Sequence, residues 1–234
     1  TDEKVSYSYS ELVKLSSSVG TALSELITSG DAVGIYMEKC ADAVAAFFAT
    51  VYAGGFYSVL NTELPQNRLQ TTVSVLNPKV IVTSESLLET AKEYFSERKI
   101  VTFEDLAKSE PDYAKLVEIR SHKIDTDPLY INFTSGSTGT PKGIVVCHRS
   151  VIDFIDHFTE IFGIDNNDVI ANQAPFDFDV SVKDIYSAVK TGATLVVVPR
   201  RMFSAPAELI DFICDRRITV MIWAVSALCL ISTF

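Results

Sequence analysis

The sequence predicts an α/β fold, with layered sheets flanked by helices. Three observations lead there. Short β-branched runs alternate with longer segments whose apolar residues recur every three or four positions, the βαβα pattern of a layered sheet. The chain has 234 residues and is 47% hydrophobic, ample material for a core. The low-hydrophobicity composition of disordered chains is absent.

The elements follow in order. Ser8-x-x-Glu11 is a capping box opening a helix, with Leu12, Leu15, Val19, Leu23 and Leu26 on one face. Ala32 to Met37 reads as a strand after the Gly30-Asp31 turn. Cys40 to Ala53 is a helix apolar on most faces, hence buried. Gly54-Gly55 stops it, and Phe56 to Leu60 is a strand. Pro65 suits the first turn of a helix to Leu76. Lys79 to Thr83 is a strand, Leu87 to Ser96 a helix and Ile100 to Phe103 a strand. Glu104 to Asp127 is more charged and less periodic, and reads as a surface bridge between two halves, residues 1–127 and 128–234. In the second half Leu129 to Phe133 and Ile144 to Val146 read as strands. A helix starts at Ser150-x-x-Asp153 and carries Phe154, Ile155, Phe158 and Ile161. Then come Val169 to Gln173 (strand), Val180 to Val189 (helix), Ala193 to Val198 (strand), Pro206 to Asp215 (helix), Thr219 to Trp223 (strand) and the start of a further helix.

Charge narrows the partners. The net charge is −10, which argues against nucleic acid and against a polybasic membrane surface. An anionic ligand must then be held locally. Cys40, Cys147, Cys214 and Cys229 form no C-x-x-C pair and no zinc spacing, and read as buried, reduced thiols of a cytoplasmic protein. The polar, charged start does not read as a signal peptide. The uncharged stretches Ala43 to Thr62 and Ile218 to Phe234 are broken by glycines or by a change of pattern, and read as core rather than membrane spans. His122 and His157 lie on segments expected to be exposed, and no nucleophile–histidine or metal constellation is visible.

One run concentrates chemistry: Thr134-Ser135-Gly136-Ser137-Thr138-Gly139-Thr140-Pro141-Lys142-Gly143. Glycines let backbone N–H groups approach an anion, while hydroxyls and an ammonium add donors and charge. Held between two strands, the run suits wrapping phosphate oxygens. It is not a P-loop, because Pro141 precedes Lys142, Gly143 follows it, and a strand rather than a helix comes next.

The run resembles the phosphate-binding loop of the adenylate-forming superfamily: acyl-CoA synthetases, luciferases and amino-acid adenylation domains. It meets the pattern [ST]-S-G-[ST]-T-G-x-P-K-G at every fixed position. Tyr9-Ser10-Glu11-Leu12, the Tyr52 to Asn61 segment, Pro65 with Arg68, Leu129-Tyr130 and His148-Arg149 match further stations, although Val59 and Asn61 stand where the family usually has Pro and Asp. The resemblance implies the N-terminal part of the large domain of such an enzyme. It also implies that Lys142 and the hydroxyls of Thr134, Ser135, Ser137 and Thr138 contact the leaving phosphates of ATP, with His148 framing the nucleotide side.

Phe178-Asp179-Val180-Ser181 is similar to the F-D-x-S motif of amino-acid adenylation domains, whose Asp binds the substrate's α-ammonium group. A desolvated ammonium needs a charged partner. Local sequence alone favours an ordinary helix N-cap for Asp179 and leaves Asp177 as a rival; the family register selects Asp179. By the same carry-over Val180, Lys183 and, more loosely, Ile222 would line the side-chain pocket. Lys183 there would favour an acidic side chain, whereas its plainer reading is a lysine whose head reaches water. The surrounding Gln173-Ala174-Pro175-Phe176 and Lys183-Asp184-Ile185-Tyr186 also resemble D-alanine–carrier-protein ligases.

The resemblance therefore implies an amino-acid-activating ligase that uses ATP with Mg²⁺ and passes its aminoacyl-adenylate to the phosphopantetheine thiol of a carrier protein. Alternatives are an acyl- or aryl-CoA synthetase fragment, or a non-catalytic nucleotide-binding fragment. The family's magnesium-binding Glu, ribose-binding Asp and C-terminal lysine have no counterpart in these residues, so the chain reads as an N-terminal fragment. Amino-acid-dependent ATP–pyrophosphate exchange by these 234 residues alone is expected to stay at background; exchange above background contradicts that expectation.

Overall fold

The computed structural model describes residues 1–134 and 141–233. It divides into two compact units, Ser8–Ser150 and Thr1–Tyr7 with Val151–Phe234. Each is described by itself.

In the unit Ser8–Ser150, helix α1 (Tyr9–Leu23) is capped reciprocally. The Glu11 N–H donates to Ser8 Oγ at 3.2 Å and the Ser8 N–H to Glu11 Oε2 at 2.7 Å. Then follow β1 (Ala32–Tyr36), α2 (Ala41–Tyr52), β2 (Phe56–Val59), α3 (Gln66–Leu76), β3 (Val80–Thr83), α4 (Leu88–Tyr94), β4 (Ile100–Thr102), β5 (Pro128–Thr134) and β6 (Lys142–Cys147). The sheet order is β4-β3-β1-β2-β5-β6. All neighbours pair in parallel except β5 and β6, which are antiparallel. β1 and β3 are buried throughout, which is why Ala32–Tyr36 and Val80–Thr83 are continuous apolar runs rather than alternating ones. Pro65 stands at the N-cap of α3, one place before the helix.

The segment read as an irregular bridge is more ordered than expected. It carries two short helices, α5 (Phe103–Leu106) and α6 (Tyr113–Ser121). Thr102 Oγ1 accepts from the Asp105 N–H, and Asp112 Oδ1 from the Lys115 N–H. These caps were the available signal; the weak periodicity arises because Leu116 is the one buried residue of α6. Residues 128–150, grouped by sequence with the second half, lie in this first unit because β5 pairs with β2, Tyr57 opposite Tyr130. Stacking continues the link: the Phe47 and Tyr57 rings are 4.4 Å apart, centroid to centroid, and nearly parallel.

Helix α7 (His148–Phe162) begins at His148, two residues before the expected start. In the unit with Val151–Phe234, β7 (Val169–Asn172), α8 (Val180–Thr191), β8 (Thr194–Val197), α9 (Pro206–Asp215), β9 (Val220–Met221) and α10 (Val225–Ser232) form a parallel three-stranded sheet, order β8-β7-β9, with its helices. The Trp223 indole N–H donates to the Ala171 carbonyl at 2.8 Å and ties the end of β9 to β7. The expectation of buried thiols fails: Cys40 and Cys147 are half-buried, and Cys214 and Cys229 exposed. No helix of the described residues is long and apolar enough to cross a membrane.

Two glycines separate backbone strain from crowding. Gly30 and Gly54 have φ of +86° and +85°. A Cβ at Gly30 meets nothing within 4 Å, whereas one at Gly54 falls 2.8 Å from Ile119 Cγ2. Gly30→Ala should cost about 1–2 kcal/mol through its left-handed backbone alone, and Gly54→Ala clearly more. Urea denaturation of both variants checks the order; equal losses would show that the α6 contact is slack.

Candidate functional site

The glycine-rich run is built on the β5–β6 hairpin. Thr134 ends β5 and Lys142 begins β6, and the two are cross-strand partners, followed by Phe133 opposite Gly143 and Asn132 opposite Ile144. Ser135, Gly136, Ser137, Thr138, Gly139 and Thr140 lie outside the described residues. Their two ends are nonetheless held together: Thr134 Oγ1 donates to the Lys142 carbonyl at 3.5 Å. Pro141 is buried, while Thr134, Lys142 and Gly143 are exposed. Gly143 is closely packed: a Cβ there would lie 3.1 Å from Ile131 Cγ2 and 3.3 Å from the Phe133 ring, so a side chain would have to shift. Lys142 thus opens a strand rather than a helix, as the sequence indicated, and is exposed.

His148 follows this strand and is half-buried. Burial, reinforced by Lys123, holds its imidazole below the ordinary range, while Asp127 and Asp125 pull it weakly upward. His122 and His157 are exposed, as expected. Backbone N–H and side-chain donors around Cys147, chiefly the Ser150 hydroxyl 3.2 Å away, lower its thiol.

The substrate-side residues lie in the other unit, at the head of α8. Asp179 occupies the N-cap position, yet its side chain makes no capping bond and is exposed. Ser181, inside the first turn, donates its hydroxyl back to the Phe178 carbonyl at 2.7 Å and caps no N–H group. The plain capping role that local sequence favours for Asp179 is therefore not the one it plays. Val180 and Lys183, three residues apart on α8, share a side of the helix and are half-buried.

Topology says why this end of the sheet matters. The connection β7–α8–β8 runs to one side of β7, and β8–α9–β9 crosses back to the other. Open parallel sheets bind ligands outside the carboxyl ends of strands at such a switch point. Here that crevice is bordered by the residues after β7, which lead to Asp179, and by Ile222 after β9.

Sequence reasoning gave Asp184 no role. It is fully buried on α8 and accepts a hydrogen bond from the amide of Asn172, equally buried at the end of β7, at 2.8 Å. The signal was available, because a 3.6-residue period places Asp184 beside the buried Val182 and Ile185 face. Among the described residues no group of three or more His, Cys, Asp or Glu side chains is arranged to hold a metal.

Against this geometry, a family model described as "AMP-binding enzyme" matches residues 1–231. The chain is 30% identical over 225 residues to indigoidine synthase of Streptomyces lavendulae, covering 94% of this chain and 17% of that protein. Its fold is similar to the nonribosomal peptide synthetase FmoA3 in its α-methyl-L-serine-AMP bound form, at 23% identity and TM-score 0.86, over 99% of this chain and 25% of that one. It is also similar to apo MatB from Rhodopseudomonas palustris, at 20% identity and TM-score 0.86, over 100% of this chain and 47% of that one. The chain thus spans a small part of the length of the curated relatives it matches.

Burial of neutral His148 has a consequence for stability. Its folded-state pKa lies below its unfolded one, so the unfolded chain binds the extra proton. Its contribution is complete above about pH 6.5 and is lost as pH falls through the histidine range. The stability drop between pH 7.5 and 5.5, measured by urea titration, should be smaller in His148→Gln; an equal drop would mean that His148 titrates as a free imidazole.

Proposed function

Because the chain belongs to the AMP-binding enzyme family, we propose that it is the N-terminal part of an ATP-dependent ligase that activates an amino acid as its adenylate. The observation that carries the amino-acid reading is Asp179: an exposed carboxylate at the head of α8, not consumed as a cap, beside a sheet switch point. The similarity to nonribosomal peptide synthetases, one of them bound to α-methyl-L-serine-AMP, supports it.

In this reading the carboxylate oxygen of the amino acid attacks the α-phosphorus of ATP. A carboxylate–phosphorus bond forms, the bond from the α-phosphorus to the bridging oxygen breaks, and pyrophosphate leaves with that electron pair. The protein supplies position and charge compensation rather than a covalent intermediate. Lys142, with the hydroxyls of Thr134, Ser135, Ser137 and Thr138 and the N–H groups of Gly136, Gly139, Thr140 and Gly143, holds the departing phosphates, and Pro141 fixes the backbone that presents the lysine. Asp179 pairs with the α-ammonium, and Val180 and Lys183 border the side-chain space. Magnesium, when bound, would neutralise phosphate charge. The adenylate then passes to a carrier-protein phosphopantetheine thiol, in a cytoplasmic setting.

Amino-acid-dependent ATP–pyrophosphate exchange in the complete reading frame tests the proposal. Asp179→Ala should lower kcat/KM for the amino acid by a hundredfold or more, on the order of the 3 kcal/mol carried by a desolvated charged hydrogen bond. Exchange driven by simple carboxylic acids and indifferent to Asp179→Ala would identify an acyl- or aryl-activating enzyme instead. Saturable ATP binding with no adenylate formed would identify a non-catalytic nucleotide-binding protein.

A further inference from the structure

The end of the β5–β6 hairpin opposite the glycine-rich run carries a compact polar cluster. The Arg149 guanidinium donates from Nε to Asp125 Oδ2 and from Nη2 to Asp125 Oδ1, both at 2.8 Å. The Arg149 backbone N–H also donates to the Asp125 carbonyl at 2.6 Å, and the His148 N–H to the Asp127 carbonyl at 3.2 Å. Asp127 in turn accepts from the Ile124 N–H and pairs with Lys123 at 3.0 Å. The turn that enters β5 is thereby bound to the residues that leave β6.

The hairpin has reason to need this. Its ladder is irregular at this end: Pro128 is opposite Cys147 and Tyr130 opposite Val146, so Leu129 is the extra residue of a bulge. Pro128 has no N–H to bond with. On the other side, β5 meets β2 through a single register pair, Tyr57 with Tyr130. A slip of one residue in a strand turns every side chain to the opposite face. Here it would exchange Lys142 with Gly143 at the mouth of the run.

We propose that Asp125 and Arg149 are positioning residues for nucleotide binding: their two-point ion pair fixes the register of the β5–β6 hairpin and with it the face that presents Lys142. The proposal rests on reading Thr134 to Gly143 as the phosphate loop. The pair is exposed, 47% for Asp125 and 63% for Arg149, so it adds little to global stability. Its value is directional, because a bidentate fork fixes orientation as well as distance. The adjacent Arg149 holds the Asp125 carboxyl below its usual range, which keeps the fork charged at neutral pH. Since the pair is peripheral to the core, its loss should register in ligand affinity rather than in unfolding.

The test is steady-state exchange kinetics in the complete reading frame, with melting temperatures recorded in parallel. Arg149→Ala and Asp125→Ala are expected to raise KM for ATP about two- to fivefold, the scale of an exposed pair, with KM for the amino acid and Tm unchanged. The charge-reversed double variant Asp125→Arg/Arg149→Asp is expected to recover most of the loss. The proposal is overturned if the single variants leave KM for ATP unchanged while Lys142→Ala raises it, in which case the loop reading stands without the clamp. It is also overturned if both KM values and Tm move together, which marks a merely structural contact, or if charge reversal recovers nothing. If Lys142→Ala itself leaves ATP affinity untouched, the loop reading fails and the clamp falls with it.

Discussion

Thr134 and Lys142 face each other across an antiparallel pair, and the chemistry proposed for this chain depends on that pairing. A glycine-rich run pays a large ordering cost when it closes on a ligand. Starting and ending the run on adjacent strands fixes the separation of its two ends before any ligand binds. The pairing depends in turn on β5 being a member of the parallel sheet. β2 holds β5, and β1 and β3, buried along their whole length, hold the sheet. The single antiparallel strand sits at the sheet's edge, where no further parallel neighbour constrains its turn.

The unit with Val151–Phe234 solves a different problem, which is to present a carboxylate without burying it. Asp179 heads α8 without capping it, while Ser181 donates its hydroxyl back to the Phe178 carbonyl. The buried Asn172–Asp184 bond joins the end of β7 to the second turn of α8, so the loop between them has both ends anchored. A buried polar pair of this kind stabilises little compared with apolar packing. Its use is geometric, because it fixes which turn of the helix lies against the strand.

Much of this was legible in the sequence, and the exceptions have physical causes. The strands could be read because parallel strands buried on both sides are continuous apolar runs, and α1 because its capping box is local chemistry. The α5–α6 segment was not read as helical because short helices held by end caps and a few buried side chains, Phe103 and Leu106 in α5 and Leu116 in α6, carry little periodicity. The division of the chain was harder still: β5 and β6 belong to the first sheet through pairing with β2, a contact between residues distant in sequence. In the site, the loop and Asp179 stood out as ordered motifs of reactive residue types. Asp184 stood out only by its place on the buried face of α8, since the partner that explains it lies twelve residues earlier, and the Asp125–Arg149 fork not at all, its members being 24 residues apart.

The central claim is that the run from Thr134 to Gly143 holds the phosphates of ATP, with Lys142 at its exit. Amine acylation of the complete protein, quantified lysine by lysine with mass spectrometry, tests it most directly, since Lys142 is exposed and open to reagent. The account predicts that ATP slows acylation of Lys142 in a saturable way while Lys108, exposed and remote in sequence from the loop, reacts at an unchanged rate. Equal acylation of Lys142 with and without saturating ATP would contradict it.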